Sequence, residues 1–326
     1  MPRQCGEEFN ADVPIGAART PAASWYIDER YHELDLEKVL HANWQVVAHL
    51  QQVDQVGAYM AGCTAGQPWV VLRDAHGELK AFANVCRHNG TPVAEGHGVI
   101  DKLVCRYHGW SYDLGGRLLK APRIAGVKDF NRDDFALAPL PVMVIGPLVL
   151  IMLNGKAGRF DADEVEQSLK GQNWDQLILR HHRRYELACN WKVFVDNYLD
   201  GGYHVPTLHE DLASDLNFGS YRTTTFARSS LQTVASADSS GERLAGDALY
   251  VWIYPNIMIN RYGPMMDINL VTPLSPSRCL VTFDWYFEVE CSDEFVEQSL
   301  VASDQVQQED IEVCEAVQRG MGSLHF

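Results

Sequence analysis

The sequence predicts an α+β protein in two parts, a small all-β domain followed by an α+β domain. Three observations carry this. At 326 residues, 46% hydrophobic and 21% charged, the chain is long enough for two cores of ordinary size. From Trp44 to Leu153 the apolar runs are short and punctuated by Gly, Asp and Asn, as strands joined by turns are. Beyond residue 185, longer strand-like runs are flanked by two stretches of helical period.

In chain order, residues 1–42 form an N-terminal segment, polar at first, with a short helix over 35–40. The all-β domain spans 43–156, with strands at 44–50, 68–73, 80–84, 103–105, 110–113, 140–144 and 148–153 and a turn at Gly115-Gly116. The second domain, 157–326, opens on a polar connector (161–184) carrying one helix. Asn190 is a good N-cap for a helix running through Leu199. Strands follow at 231–235, 249–259, 266–271 and 280–289, then a long helix from a Ser292 or Asp293 cap to about Val317.

Composition narrows the function. With 27 Lys+Arg against 43 Asp+Glu, the net charge of −16 argues against a nucleic-acid footprint; spread along the chain, it reads first as a solubility feature and second as a field that favours cationic substrates or a basic partner. The eight cysteines have no disulfide-framework spacing, no apolar run approaches the ~20 residues of a membrane span, and residues 1–24 carry no secretory signal. These features point to the cytoplasm.

The informative motif lies in the first domain: Cys86-Arg87-His88, then Cys105-Arg106-Tyr107-His108. Each segment supplies one sulfur and one nitrogen. A Rieske [2Fe–2S] cluster needs this, since two thiolates hold one iron and two imidazoles the other. A structural zinc site is the rival, but zinc fingers group Cys with Cys and His with His. Gly90 and Gly109 permit tight loops that aim amides at the cluster sulfurs, and Tyr107, Trp110 and Tyr112 are placed to wall it from water.

An electron-transfer cluster needs an acceptor. His204 and His209, five residues apart beyond the 190–199 helix, suit a mononuclear non-heme Fe(II) held by two histidines and a carboxylate, with positions open for O2. Among Asp304, Glu309, Asp310 and Glu312, only Asp310 shares the apolar stripe of Val306, Val313, Cys314 and Val317. A carboxylate on that face needs a partner or a metal, so Asp310 is the expected third ligand, with Glu309 and Glu312 in solvent.

At these residues the chain resembles the Rieske non-heme iron oxygenase α subunits over essentially its whole length. The 190–206 segment and the paired Cys/His motifs carry the superfamily. Tyr254-Pro255-Asn256, Arg261-Tyr262-Gly263-Pro264 and the 310–320 segment point to its choline-monooxygenase and quaternary-amine branch. The resemblance implies a Rieske domain followed by a helix-grip (START-like) catalytic domain with an antiparallel sheet, the 1–42 segment packing on the latter. It implies a head-to-tail homotrimer, with a carboxylate bridging His108 of one subunit and His204 of the next. Many members place that carboxylate three residues before the first iron histidine; here that position is Gly201, and Asp200 is the nearest acid. Asn197 matches a residue that approaches the iron. Relatives continue for several dozen residues beyond Gly320 with another helix, whereas this chain ends at Phe326.

The chain lacks a glycine-rich dinucleotide fingerprint and a Cys₄ ferredoxin spacing, so electrons come from a separate NAD(P)H reductase or ferredoxin. A quaternary ammonium would be held by aromatic faces; Tyr198, Tyr203, Tyr250, Trp252, Tyr254 and Tyr262 are the candidates. The expected reaction is choline to betaine aldehyde hydrate. The alternatives are N-demethylation or C–N cleavage of a glycine betaine or carnitine type, arene dioxygenation, and a Rieske electron carrier without chemistry of its own.

Overall fold

The computed structural model describes residues 9–10, 12–237 and 247–326. It divides into two compact units: residues 36–176, and the chain up to Asp35 together with residues 177–326. Residues 36–42 and 157–176 therefore join the first unit, where a 43–156 domain was expected. Side-chain packing gives the reason. Trp44 Nε1 donates to the Gly158 carbonyl at 3.0 Å, and the Trp174 ring lies on Gly146, where a Cβ would come within 2.2 Å of it.

Helices α1 (Ser24–Ile27) and α2 (Glu29–Leu34) lead into a π-helical turn over Asp35–Leu40. Asp28 starts α2 by accepting from the Arg30 amide at 2.9 Å. In the first unit, β1 (Trp44–His49) is followed by β2 (Ala58–Thr64), β3 (Gln67–Arg73), β4 (Leu79–Ala83) and β5 (His97–Val99). Next come β6 (Leu103–Val104), β7 (Ser111–Tyr112), β8 (Leu118–Lys120), β9 (Pro139–Leu140), β10 (Val142–Ile145) and β11 (Leu148–Met152). They form three antiparallel sheets, ordered β1-β11-β10, β5-β2-β3-β4-β9 and β6-β7-β8. The last sheet is a small ribbon whose β6–β7 turn carries the second Cys/His pair, while the first pair sits between β4 and β5. Helix α3 (Ala162–Ser168) closes this part of the chain.

The second unit is a seven-stranded antiparallel sheet with helices against it. Its strands are β12 (Ile178–Leu187), β13 (Leu216–Thr225), β14 (Ser229–Ser236), β15 (Ala248–Ile253), β16 (Ile257–Tyr262), β17 (Met265–Ser275) and β18 (Arg278–Phe287), in the order β12-β18-β17-β16-β15-β14-β13. Between β12 and β13 run α4 (Trp191–Leu199), α5 (Val205–Leu208) and α6 (Glu210–Asp215). After β18, α7 (Asp293–Met321) packs along the sheet: Trp285 Nε1 donates to Ser303 Oγ at 3.1 Å and the Tyr185 hydroxyl to Asp304 at 2.6 Å. This is the expected α+β helix-grip arrangement. Asn190 caps α4 by accepting from the Lys192 amide at 3.0 Å, and Ser292 caps α7 by accepting from the Phe295 amide at 3.1 Å. The N-terminal helices belong here: the Tyr26 hydroxyl donates to Asp196 at 2.7 Å and Trp191 Nε1 to Asp35 at 2.9 Å.

Two expectations change. The segment read as a connector contains the edge strand β12, disguised because Arg180, His182 and Arg184 occupy its exposed face. The single 249–259 run is a hairpin, β15 and β16, turned at Tyr254-Pro255-Asn256. Asn256 anchors that turn by donating to the Val271 carbonyl at 2.8 Å.

Candidate metal centres and the substrate cavity

The two cluster loops are built alike. In each, the cysteine amide donates to the carbonyl five residues on (Cys86 to Thr91, 2.9 Å; Cys105 to Trp110, 2.8 Å), and the glycine four residues on donates back to the cysteine carbonyl (2.9 and 3.0 Å). Gly90 and Gly109 have φ of 81° and 72°, a region that favours glycine. Their amides close the two tight loops onto the cysteine carbonyls, the turn that the two glycines were expected to permit. Cys86 and Cys105 are each 2% exposed, while His88 and His108 sit outside with their Nδ1 atoms 3.0 Å apart. Two ring nitrogens turned toward each other above two buried thiols are the donor set of a Rieske cluster.

The aromatic wall is partly as expected. Trp110 stacks on His88 at 5.0 Å, with Phe130 and Phe135 edge-on behind it. Tyr107 lies on His108, ring centres 3.8 Å apart, and is itself exposed. Tyr112 does more than exclude water. Its oxygen accepts from the Arg87 amide at 3.0 Å and lies 3.4 Å from Cys86 Sγ, where the hydroxyl could donate to a cluster thiolate. Burial and the bond to Cys86 push the Tyr112 phenol well above its ordinary range.

The second centre is assembled from α4, α5 and α7. The single turn of α5, with Pro206 in its first turn, is bracketed by His204 and His209, which explains their five-residue spacing. One donor atom each from His204, His209 and Asp310 lies within 4.8 Å of the others. Asp310 Oδ1 is 3.1 Å from His209 Nε2, 3.9 Å from His204 Nε2, and accepts from Asn197 Nδ2 at 2.8 Å.

Both outer nitrogens are held by carboxylates. His204 Nδ1 is 2.6 Å from Asp200 Oδ2, and His209 Nδ1 is 2.6 Å from Glu309 Oε2. A carboxylate on Nδ1 fixes the tautomer that presents a bare Nε2 inward, as ligating histidines require. Burial tends to lower the His209 pKa, but the bonds to Asp310 and Glu309 win and raise it. This arrangement fits a divalent metal, which would replace the proton that the three inward groups otherwise share. Glu309 corrects the reading that placed it in solvent. It neighbours Asp310 on α7 and reaches round to the back of His209.

The metal donors open on a cavity of about 110 Å³. Tyr198, Tyr250 and Tyr262 line it as expected; Tyr221, not anticipated, joins them. Gly202 makes room for Tyr221, since a Cβ there would stand 2.7 Å from its ring. Tyr203 is 88% exposed and Tyr254 packs under Arg228 at 4.6 Å; neither they nor Trp252 line the cavity. These three depart from expectation because the strand pleat and the turn after α4 aim them elsewhere. One cross-strand row supplies a polar wall: Gln232, Tyr250, Asn260 and Asp267 stand opposite one another on β14 to β17. The Tyr198 hydroxyl donates to Asn260 Oδ1 at 2.9 Å, and Asn260 Nδ2 to Asp267 at 2.7 Å.

Comparison with known proteins agrees with this geometry. Residues 43–131 match the Rieske [2Fe-2S] domain family, and residues 175–326 match the ring hydroxylating alpha subunit (catalytic domain) family. Choline monooxygenase (chloroplastic) of Arabidopsis thaliana is 41% identical over 98% of this chain and 80% of its own. The chain belongs to the Rieske non-heme iron oxygenase α-subunit family. The carnitine monooxygenase oxygenase subunit of Escherichia coli is 28% identical over 95% of this chain and 86% of its own. A crystal structure of the quaternary ammonium Rieske monooxygenase CntA superposes with a TM-score of 0.86 at 26% identity, covering 94% of this chain and 87% of that one. The chain is thus a choline-monooxygenase-like Rieske oxygenase whose cofactors are a [2Fe–2S] cluster and a mononuclear non-heme iron. Among the described residues, no helix is long and apolar enough to cross a membrane.

Proposed function

We propose that this chain hydroxylates choline at its alcohol carbon to give betaine aldehyde hydrate, with electrons from a separate NAD(P)H reductase or ferredoxin. One observation carries the reading: the two-histidine, one-carboxylate set opens on a tyrosine-lined cavity in a chain 41% identical to choline monooxygenase. When bound, the cluster would supply electrons one at a time, and a mononuclear iron would supply the O2 chemistry for oxidising a substrate C–H bond. The chain's own residues do the rest. His204, His209 and Asp310 would hold the iron, with Asp200 and Glu309 keeping both imidazoles in the ligating tautomer. Asn197 restrains Asp310 Oδ1, and the tyrosines offer faces to a trimethylammonium group, which has no N–H to donate.

Asp200 is also the proposed carboxylate between His204 and the partner subunit's His108 in a head-to-tail homotrimer. Its Oδ2 already lies on His204, while Oδ1 accepts only the Tyr203 amide at 3.1 Å among the described contacts. A cytoplasmic or otherwise reducing setting is in keeping with the seven described cysteines, all unpaired.

The test is NAD(P)H-coupled turnover of the reconstituted protein with choline, glycine betaine, carnitine and a simple arene, together with iron analysis. The expected result is choline oxidation at about three irons per chain. Oxidation of the arene alone would remove the quaternary-amine assignment. About two irons per chain would leave only an electron carrier.

A further inference from the structure

The carboxyl groups of the cavity, Asp267 and Asp310, have no lysine or arginine to balance them among the described lining residues. Asp310 belongs to the metal set, whereas Asp267 stands on β17, opposite Asn260 on one side and Trp285 on the other, and is 2% exposed. Its Oδ2 accepts from the amide of Asn260, which is itself held by Tyr198. A carboxyl group so placed, beside Tyr198, Tyr250 and Tyr262, offers a cationic ligand an acidic partner and π faces together. A zwitterion would bring its own carboxylate into this cavity, where among the described lining residues there is no Lys or Arg to receive it.

Two buried carboxamides point to the other end of the ligand. Asn269 and Gln307 also line the cavity, are 3% and 2% exposed, and leave Asn269 Oδ1 and Gln307 Nε2 without a hydrogen-bond partner. Orphaned polar atoms at such depth are costly, so a group that satisfies them gains affinity. An acceptor on the sheet and a donor on α7 suit a hydroxyl, which both donates and accepts. Gln307 is three residues from Asp310 on α7, so this donor stands one helical turn from the metal set.

Taken with the quaternary-ammonium reading above, on which it rests, the geometry points to Asp267 as the specificity-determining residue. Its charge selects a cationic amino alcohol over a zwitterionic betaine or carnitine, while Asn269 and Gln307 receive the hydroxyl. The inference concerns binding and requires no redox step.

Equilibrium dialysis of the iron-loaded protein against choline, glycine betaine and 3,3-dimethylbutan-1-ol tests it. The last is choline's uncharged isostere, with carbon in place of nitrogen. Wild type is expected to bind choline on the order of 30-fold more tightly than the isostere, and more tightly than glycine betaine. Asp267→Asn, which can still accept from Asn260, is expected to abolish most of the choline-to-isostere ratio and leave isostere binding unchanged. A ratio that survives in Asp267→Asn with isostere binding intact overturns the inference while the proposed reaction stands. Tighter binding of glycine betaine than of choline by wild type does the same, and needs no variant that must fold. Wild type that does not distinguish choline from the isostere overturns both the inference and the quaternary-ammonium reading.

Discussion

The two metal centres use histidine in opposite ways. At the cluster loops, His88 and His108 turn Nδ1 inward, 3.0 Å from each other, and are steadied by aromatic rings. At the mononuclear centre, His204 and His209 turn Nε2 inward and give Nδ1 to Asp200 and Glu309. A carboxylate behind an imidazole raises its basicity and locks its orientation, as a site that must keep its metal while exchanging other ligands requires. Within the subunit, ring packing steadies the cluster imidazoles with no carboxylate of their own behind them, which leaves His108 open to the proposed Asp200 contact of a neighbouring subunit. The same side chain therefore serves retention in one place and is left open to a partner in the other.

The comparison can be broken at its strongest point first. Asp310→Ala should lower iron from about three to about two per chain and reduce turnover on the order of 10³-fold or more, with the visible spectrum of the cluster intact. If the cluster spectrum is lost too, the centres are not built independently. Glu309→Gln should weaken mononuclear iron binding or activity about 10- to 100-fold, read by metal titration. Asp200→Asn should do the same for His204, and if Asp200 also bridges subunits, reoxidation of the cluster in single turnover should slow more than iron is lost. Tyr112→Phe removes the hydroxyl beside Cys86 and should lower the cluster potential by about 40 mV for a bond worth about 1 kcal/mol, leaving mononuclear iron unchanged.

The smallest effect comes from a third carboxylate–histidine pair, remote from any metal donor. His182 Nδ1 lies 2.6 Å from Asp284, and that bond, against partial burial, raises its pKa above the ordinary value. A raised folded pKa stabilises the fold fully below the unfolded value of about 6.5, and the gain is lost as pH rises through the folded value. Both groups are partly exposed, so His182→Gln should cost on the order of 0.5 kcal/mol below pH 6 and almost nothing at pH 9, measured by urea unfolding. A loss that does not change between these pH values would mean that the pair is not ionic.

Much of this is legible in the sequence alone. The cluster ligands sit within 23 residues of one another, each pair in one loop, so spacing alone shows that each loop supplies one sulfur and one nitrogen. Capping chemistry placed the starts of α4 and α7, and the stripe along α7 singled out Asp310 from its acidic neighbours. Local reasoning failed where a contact depends on two distant segments. Glu309 looks solvent-facing on its own helix and becomes a histidine partner only because α5 is packed there. Tyr203 and Tyr254 belong to the right segment, but their backbone directions take them away from the cavity.

What the sequence by itself determined is the chemistry that lies within one loop or one helical turn: the cluster motif, the two candidate iron histidines, the caps and the amphipathic stripe. Such features depend on spacings of a few residues, which covalent geometry already constrains. Only the tertiary structure decided which walls enclose the substrate, which carboxylate stands behind which imidazole, and where Asp267 faces. Strand pairing brought Gln232, Tyr250, Asn260 and Asp267 into one row across 36 positions of sequence, and register between strands is set by the packing of the whole sheet.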